Sequence, residues 1–278
     1  MSSSVRSIRV ACCQLHPILG DGRANAERTR DAIKGAVEAG ARLIVLPELA
    51  TTGYVFDSED QARTAAQESE GALQTWAEEA ARGDALVVGG FAELDAAGDL
   101  YNAAAVVDAS GTLAIYRKTH LWGTERELFT AGEAIPPVVD TRVGPIGVGV
   151  CYDMFFPELT RGLALRGAEI IVMPTNAPRG SNGAGVRDNI GVSIARAAAH
   201  VNRVFVAVCD RWGSERGVEW VGRSLIADPE GDLIAEPPGD REQVLFADCE
   251  LALARNKRWA GTSNDAFDDR RPEHYELD

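Results

Sequence analysis

The sequence predicts an α/β layered fold of more than ten strands. Three observations predict it. Short runs rich in Val, Ile and Leu recur along the chain, several apolar at every position, which suits strands covered on both faces. Stretches with helical spacing of small and apolar residues lie between them. Two turn signals, Asp108-Ala-Ser-Gly111 and Asp228-Pro-Glu-Gly231, separate neighbouring runs and add hairpins to the alternation.

The first strand is read at residues 8–14, after a polar N-terminus with no continuous apolar stretch and no cleavage signal, so a secretory leader is not expected. Adjacent Cys12 and Cys13 in that strand face opposite ways, which argues against a bond between them. A helix over 25–39 places Ala26, Thr29, Ala32, Ile33, Ala36 and Val37 near one face. A buried strand follows at 43–46 and a helix at 70–81. Strands are then expected at 85–90, 103–107, 113–117 and 147–151. A helix over 157–166 starts with Pro157 at its first position, where the missing N–H costs nothing. The remaining elements are a strand at 170–173, a helix at 186–201, and strands at 204–208, 224–227 and 243–248. No Pro-, Ser- or Gly-rich linker divides the chain, so one domain over residues 1–278 is expected. Ala39-Gly-Ala-Arg-Leu-Ile-Val-Leu-Pro47 and Arg166-Gly-Ala-Glu-Ile-Ile-Val-Met-Pro174 resemble each other. Either any αβ unit looks like this, because Gly suits a helix end, or the chain holds two halves whose strand ends meet at one site.

The 278 residues are 45% hydrophobic and 25% charged, with a formal net charge of −14. That balance disfavours nucleic acid and anionic membranes as partners, since both call for basic patches. No apolar run reaches the ~18–20 residues that span a bilayer. Five Cys with no CxxC spacing do not form a disulfide framework, and a reducing cytoplasm fits best. The four His and five Cys never cluster at zinc-ligand spacing, so no metal is expected. The basic residues are 25 Arg and 3 Lys.

Three residues each stand directly after a predicted strand, where α/β folds build sites. Cys151 ends Gly147-Val-Gly-Val-Cys151 and precedes a helix start, where free N–H groups favour thiolate or an oxyanion; a plain core cysteine is the competing reading. Lys118, in Tyr116-Arg-Lys-Thr-His120, is a surface cation by default. In so Lys-poor a chain, however, a compact ammonium with a movable pKa points to a chemical requirement. Glu48 follows Pro47 and a buried strand, where desolvation raises a carboxyl toward the range of a general base; a capping role is the alternative.

Leu46-Pro-Glu48-Leu-Ala-Thr-Thr-Gly-Tyr54, Tyr116-Arg-Lys118-Thr-His-Leu, Val150-Cys151-Tyr-Asp-Met-Phe-Phe-Pro-Glu158 and Arg270-Arg-Pro-Glu occur in that order. Together they resemble the nitrilase, or carbon–nitrogen hydrolase, superfamily over nearly the whole chain. The resemblance implies a four-layer αββα sandwich that pairs helix to helix into an eight-layer homodimer or higher homo-oligomer. It also implies a Glu–Lys–Cys triad with no metal or organic cofactor. By position Cys151 is the nucleophile, Glu48 the general base and Lys118 the cation beside the oxyanion. The superfamily's second glutamate falls at Glu125, with Glu127 as its competitor. Substrate-binding positions fall at Tyr54, Trp122, Tyr152, Phe155, Asn176 and Ala177.

Cys151-Tyr152-Asp153 stands where nitrile-hydrolysing members usually carry Cys-Trp-Glu, so the amidase-like branch is expected. Branches acting on anionic substrates tend to place Arg soon after the Cys; here stand Met154, Phe155 and Phe156. An uncharged wall disfavours an anion, whose buried charge would lack a partner. The expected activity is hydrolysis of a small neutral, aliphatic amide through a Cys thioester, with N-carbamoyl amines and nitriles as alternatives. A non-catalytic scaffold of the same fold is the alternative from another class, and a Cys–His pair using His120 or His200 the alternative mechanism. Two departures stand out: Cys209-Asp-Arg211 where Asn-Arg is common, and Val201 where Glu is often found.

Overall fold

Two six-stranded sheets stack face to face with helices on both outer surfaces. The computed structural model describes residues 7–179, 190–236, 239 and 241–275. In chain order the elements are β1 (Ile8–Gln14), α1 (Gly22–Glu38), β2 (Leu43–Val45), α2 (Glu59–Glu68), α3 (Ala72–Gly83), β3 (Leu86–Leu94), β4 (Leu100–Asp108), β5 (Gly111–Arg117) and α4 (Glu125–Leu128). There follow β6 (Val138–Thr141), β7 (Gly144–Val148), α5 (Pro157–Leu165), β8 (Ile170–Thr175), α6 (Ile190–Asn202), β9 (Phe205–Asp210), β10 (Trp212–Glu215) and β11 (Val218–Val221). The last strands are β12 (Leu225–Ala227), β13 (Leu233–Ala235) and β14 (Gln243–Cys249).

The period-two alternation of strand side chains sorts the core into layers. Val10, Cys12, Leu43, Val45 and Val88 of one sheet meet Val148, Ile170, Val172 and Ala207 of the other. Cys13, Ile44, Leu46 and Val87 face the opposite way, onto Ile33 and Ala36 of α1 and Trp76 and Ala80 of α3. Ile171, Met173, Val206 and Val208 likewise cover Leu163 of α5 and Ala195 and Ala199 of α6. The layers therefore run helix, sheet, sheet, helix. All five cysteines are free, with Cys12 and Cys13 in different layers as expected.

The sheets run β14-β1-β2-β3-β4-β5 and β6-β7-β8-β9-β12-β13. In that order both show the same ladder: an antiparallel pair, two parallel pairs, then two antiparallel pairs. β2 and β8, which carry the two similar segments, hold equivalent places. The similarity is thus a correspondence of two halves, and it directs the chain after each of these strands toward a shared edge of the sandwich.

Local signals explain most boundaries. Asp21 caps α1 by accepting from Ala24 N–H, so the helix starts three residues before the expected 25. Pro157 opens α5 as expected. The helix expected over 186–201 is α6; residues 186–189 lie outside the described residues. Two expectations need correction. The strand placed at 147–151 ends at Val148, and Cys151 instead opens a short 3₁₀ turn, Cys151–Phe155. α2 was not expected, because its buried face is only Ala62, Ala65 and Ala66, too small to mark an apolar stripe.

Candidate active site

The chain leaving β2 is pressed flat against β3. Gly90 N–H donates to Pro47 O at 3.0 Å, and Ala50 N–H donates to Gly90 O at 2.9 Å. A Cβ on Gly90 would lie 2.4 Å from Glu48 Cα, so this approach requires glycine. Leu49 turns the chain at φ +47°, leaving the Glu48 side chain wholly buried. Lys118 is the first residue past β5. Its N–H donates to Asn102 O at 2.8 Å and its O accepts from Gly132 N–H at 2.9 Å, which anchors the backbone on both sides.

These two side chains meet. Lys118 Nζ donates to Glu48 Oε1 at 2.6 Å and to both Glu125 oxygens, at 2.9 Å and 2.8 Å. Glu125, at the start of α4, is fixed further by Trp122 N–H at 3.0 Å and Tyr54 O–H at 2.5 Å. Glu127 is exposed, so Glu125 is the residue brought to the cluster. Asn102 Nδ2 donates to Glu48 Oε1 at 2.7 Å. Asn102 was not anticipated; its one signal is a lone amide in the otherwise apolar run Ala103–Val107 and its approach, because β4 begins at Leu100.

Burial sets the charges. Desolvation pushes Glu48 up to about 7, against the pull of Lys118. Burial works against the Lys118 charge, but Glu48, Cys151 and Glu125 around it outweigh that and hold the ammonium above its ordinary range. Burial also raises the Cys151 thiol, and Glu48 raises it further, while Lys118 pulls it down. Glu48, Lys118 and Glu125 are thus the charged groups whose fields reach the Cys151 thiol, which burial and the two carboxylates hold protonated. Tyr54 is kept protonated by burial and by the same carboxylates, so its O–H stays a donor.

Cys151 is half-buried with φ +48°, a left-handed conformation that non-glycine residues adopt only where surrounding bonds impose it. Its Sγ reaches Asn176 O at 3.8 Å, so the chain leaving β8 meets the nucleophile candidate as the two-halves reading requires. Asp153, wholly buried in the same turn, accepts from Val150 N–H at 2.9 Å and Tyr116 O–H at 2.9 Å. It also accepts from His120 N–H at 3.2 Å and pairs with His120 Nδ1 at 2.7 Å. His120 is thus engaged by Asp153, and His200, near the end of α6, bonds Glu230 O between β12 and β13; neither is bonded to Cys151.

The other expected residues sort by distance from this cluster. Tyr54 touches Glu125, and Asn176 is buried beside Cys151. Ala177 N–H is held at 2.8 Å by Asp210, a buried carboxyl that desolvation lifts to about 7 despite three backbone donors. Trp122, Tyr152 and Phe155 form one aromatic group with ring centroids 4.8 Å and 5.5 Å apart, and Phe156 joins at 5.1 Å. Trp122 and Phe155 are half exposed, which places them at the surface around the turn. Val201 sits exposed at the end of α6 and takes no part in the cluster. Support comes instead from a buried pair that the sequence did not reveal. Arg211 bonds Glu215 at 3.1 Å, and Glu215 accepts from Tyr54 N–H at 2.9 Å and Val55 N–H at 2.6 Å. Trp220 of β11 closes on the Tyr54 ring at 5.2 Å.

Comparison with known proteins agrees with this picture. The model of the carbon-nitrogen hydrolase family matches residues 9–258. The chain is 37% identical over 273 residues to a protein named nitrilase from Pyrococcus abyssi, covering 96% of this chain and 99% of that one. It is 30% identical over 301 residues to N-carbamoylputrescine amidase of Solanum lycopersicum, covering 100% and 96%. Among solved structures it resembles a double mutant of an amidase from Nesterenkonia sp. AN1 in complex with acrylamide, with a TM-score of 0.78, 26% identity and coverage of 98% and 97%.

Proposed function

The chain belongs to the carbon-nitrogen hydrolase family, and from that premise we propose that it is an amidase hydrolysing a small neutral, aliphatic amide to a carboxylic acid and ammonia. One observation carries the reading: Lys118 bonds both Glu48 and Glu125 in a buried cluster whose charges act on half-buried Cys151.

Cys151 Sγ attacks the amide carbonyl as its proton passes to Glu48, whose raised pKa suits it to accept and return a proton near neutrality. The oxyanion of the tetrahedral adduct lies between the Lys118 ammonium and the Tyr152 N–H, which stands in the first turn of a helical segment. The C–N bond breaks as Glu48 gives its proton to the leaving nitrogen, releasing ammonia and leaving a thioester. Glu48 then takes a proton from water, which attacks the thioester through the same oxyanion geometry. The acid departs as Glu48 returns that proton to the leaving Cys151 sulfur, which restores both groups. Glu125 grips Lys118 with both oxygens and fixes the direction of the ammonium.

Two observations support a neutral substrate. The residues after Cys151 present an aromatic surface, Tyr152, Phe155 and Phe156 with Trp122, and no guanidinium. The similar structure from Nesterenkonia is a double mutant of an amidase in complex with acrylamide, a small neutral amide. The full-length likeness to N-carbamoylputrescine amidase supports N-carbamoyl amines as the second reading. A screen for ammonia release over aliphatic amides, aromatic amides, N-carbamoyl amines and nitriles decides between them. The proposal expects ammonia and carboxylate from aliphatic amides and none from Cys151→Ala. Ammonia with carbon dioxide from N-carbamoyl amines alone would favour the second reading, and turnover by Cys151→Ala would sink both.

We also propose a homodimer joined through the α5–α6 layer, which exposes Leu165, Ile190 and Val201. Light scattering at twice the monomer mass is expected. Residence in a reducing cytoplasm is supported by the five free thiols.

A further inference from the structure

We propose that Asp153, with His120 and Tyr116 as its partners, is a positioning residue that sets the separation of the two oxyanion donors. The inference rests on the reading of Lys118 and Tyr152 N–H as those donors. They come from different parts of the chain: Lys118 follows β5, and Tyr152 lies in the turn after β7. Each donor's usefulness depends on a distance between two elements that share no ladder, since β5 and β7 belong to different sheets.

Asp153 bridges that gap. One oxygen, Oδ2, accepts from Val150 N–H beside the nucleophile and from Tyr116 O–H two residues before Lys118. The other, Oδ1, takes His120 N–H and Nδ1, two residues after Lys118. The carboxylate thus holds the turn from below and Lys118 from both flanks. Tyr116 O–H is locked in turn by Thr119, through Oγ1 at 3.0 Å and N–H at 3.2 Å. The His120 ring stacks on Phe156 at 3.6 Å and 14°, which ties the same loop to the far end of the nucleophile turn. A buried carboxylate that spends every contact on these two segments is placed to fix one against the other.

The test separates the oxyanion geometry from the thiol. Propionaldehyde adds to Cys151 to form a hemithioacetal whose oxygen occupies the oxyanion position, whereas alkylation by iodoacetamide displaces iodide and forms no oxyanion. Asp153→Asn is expected to weaken propionaldehyde inhibition and to lower kcat on propionamide together, by about 10²-fold, as for loss of one oxyanion donor. KM and the alkylation rate are expected to stay within about threefold of wild type. Tyr116→Phe, which removes one tie and keeps the packing, should show the same pattern at about tenfold. His120→Asn, whose amide can still donate to Asp153, should retain activity that His120→Leu loses. Unchanged aldehyde binding in Asp153→Asn, or a fall in alkylation matching the fall in kcat, would overturn the inference. If wild type binds no propionaldehyde although iodoacetamide alkylates Cys151, the underlying reading of the donors fails instead.

Discussion

Lys118 Nζ lies 2.6 Å from Glu48 Oε1, with both side chains wholly buried and the two oxygens of Glu125 closing the other side of the ammonium. Bringing three charged groups out of water is costly, and the arrangement holds only because each offsets the others. One cation between two acids also explains why the site needs a compact ammonium. An Arg fork would take a wider space than this buried ammonium does.

Removing that cation leaves two buried carboxyls facing each other. Lys118→Met is therefore expected to abolish turnover and to destabilise the fold by about 3–5 kcal/mol near neutral pH. The loss has a pH signature. Without Lys118 the pull that lowers the Glu48 carboxyl is gone, so its native-state pKa, already raised to about 7, rises further and the native state binds its proton more tightly as the pH falls. The stability gap to wild type should shrink from about pH 8 to about pH 5. Urea unfolding at both values checks this, and a gap independent of pH would contradict the buried-pair account.

Glu48 is neutral below about 7 and a carboxylate above it. Its contribution to stability is full below its ordinary value of 4.5 and is lost as the pH rises through about 7, so the proton-accepting form is the less stable one. Alkylation of Cys151 by iodoacetamide should accordingly rise with pH around a midpoint near 7. In Glu48→Gln the thiol loses its acceptor and the midpoint should move upward, because burial itself raises the thiol. Coincident pH profiles for the two proteins would show that Glu48 does not take the proton.

The Arg211–Glu215 pair acts at a remove. Glu215 holds Tyr54 and Val55 by their N–H groups, and Tyr54 O–H reaches Glu125. Glu215→Gln removes the one carboxylate that bonds the wholly buried Arg211, leaving only the more distant pull of Asp210 and Glu48, and weakens the hold on that loop. A stability loss of about 3 kcal/mol is expected. Activity per folded enzyme should fall as Tyr54 shifts against Glu125. A variant as stable and active as wild type would remove this pair from the support of the site.

The parts legible in the sequence were those written in local chemistry. Glu48, Lys118 and Cys151 each stand at the end of a predicted strand and within a recognisable run, and the resemblance of those runs to the superfamily assigns their roles and places Glu125 beside them. The lysine count helped: of three lysines, Lys34 is exposed, Lys257 is half-buried on backbone carbonyls, and Lys118 is the one wholly buried. What stayed hidden depends on contacts across hundreds of residues. Asp153 stood in a quoted motif, but its bonds to Tyr116 and His120 exist only once the two sheets stack. Glu215 meets Tyr54 across 161 positions, and no periodicity encodes that. The strand placed through Cys151 failed for a similar reason. Gly147-Val-Gly-Val reads as continuous strand, whereas the turn at φ +48° is imposed by bonds made after folding.

Backbone approach around Glu48 yields a paired prediction. A Cβ at Gly90 would meet Glu48 Cα at 2.4 Å and Leu49 N at 2.6 Å, backbone atoms that cannot swing aside. Gly90→Ala should therefore push the β2–β3 connection outward, lower stability by about 1–3 kcal/mol and move Glu48 off Lys118. Gly35, exposed within α1, has open space around an added Cβ. Gly35→Ala should raise stability by about 0.5–1 kcal/mol, because alanine costs less backbone entropy in a helix, and leave turnover unaltered. Thermal unfolding and ammonia release measured on both variants check the pair. Full activity in Gly90→Ala would mean that Glu48 tolerates displacement, which its single acceptor position on Lys118 at 2.6 Å argues against.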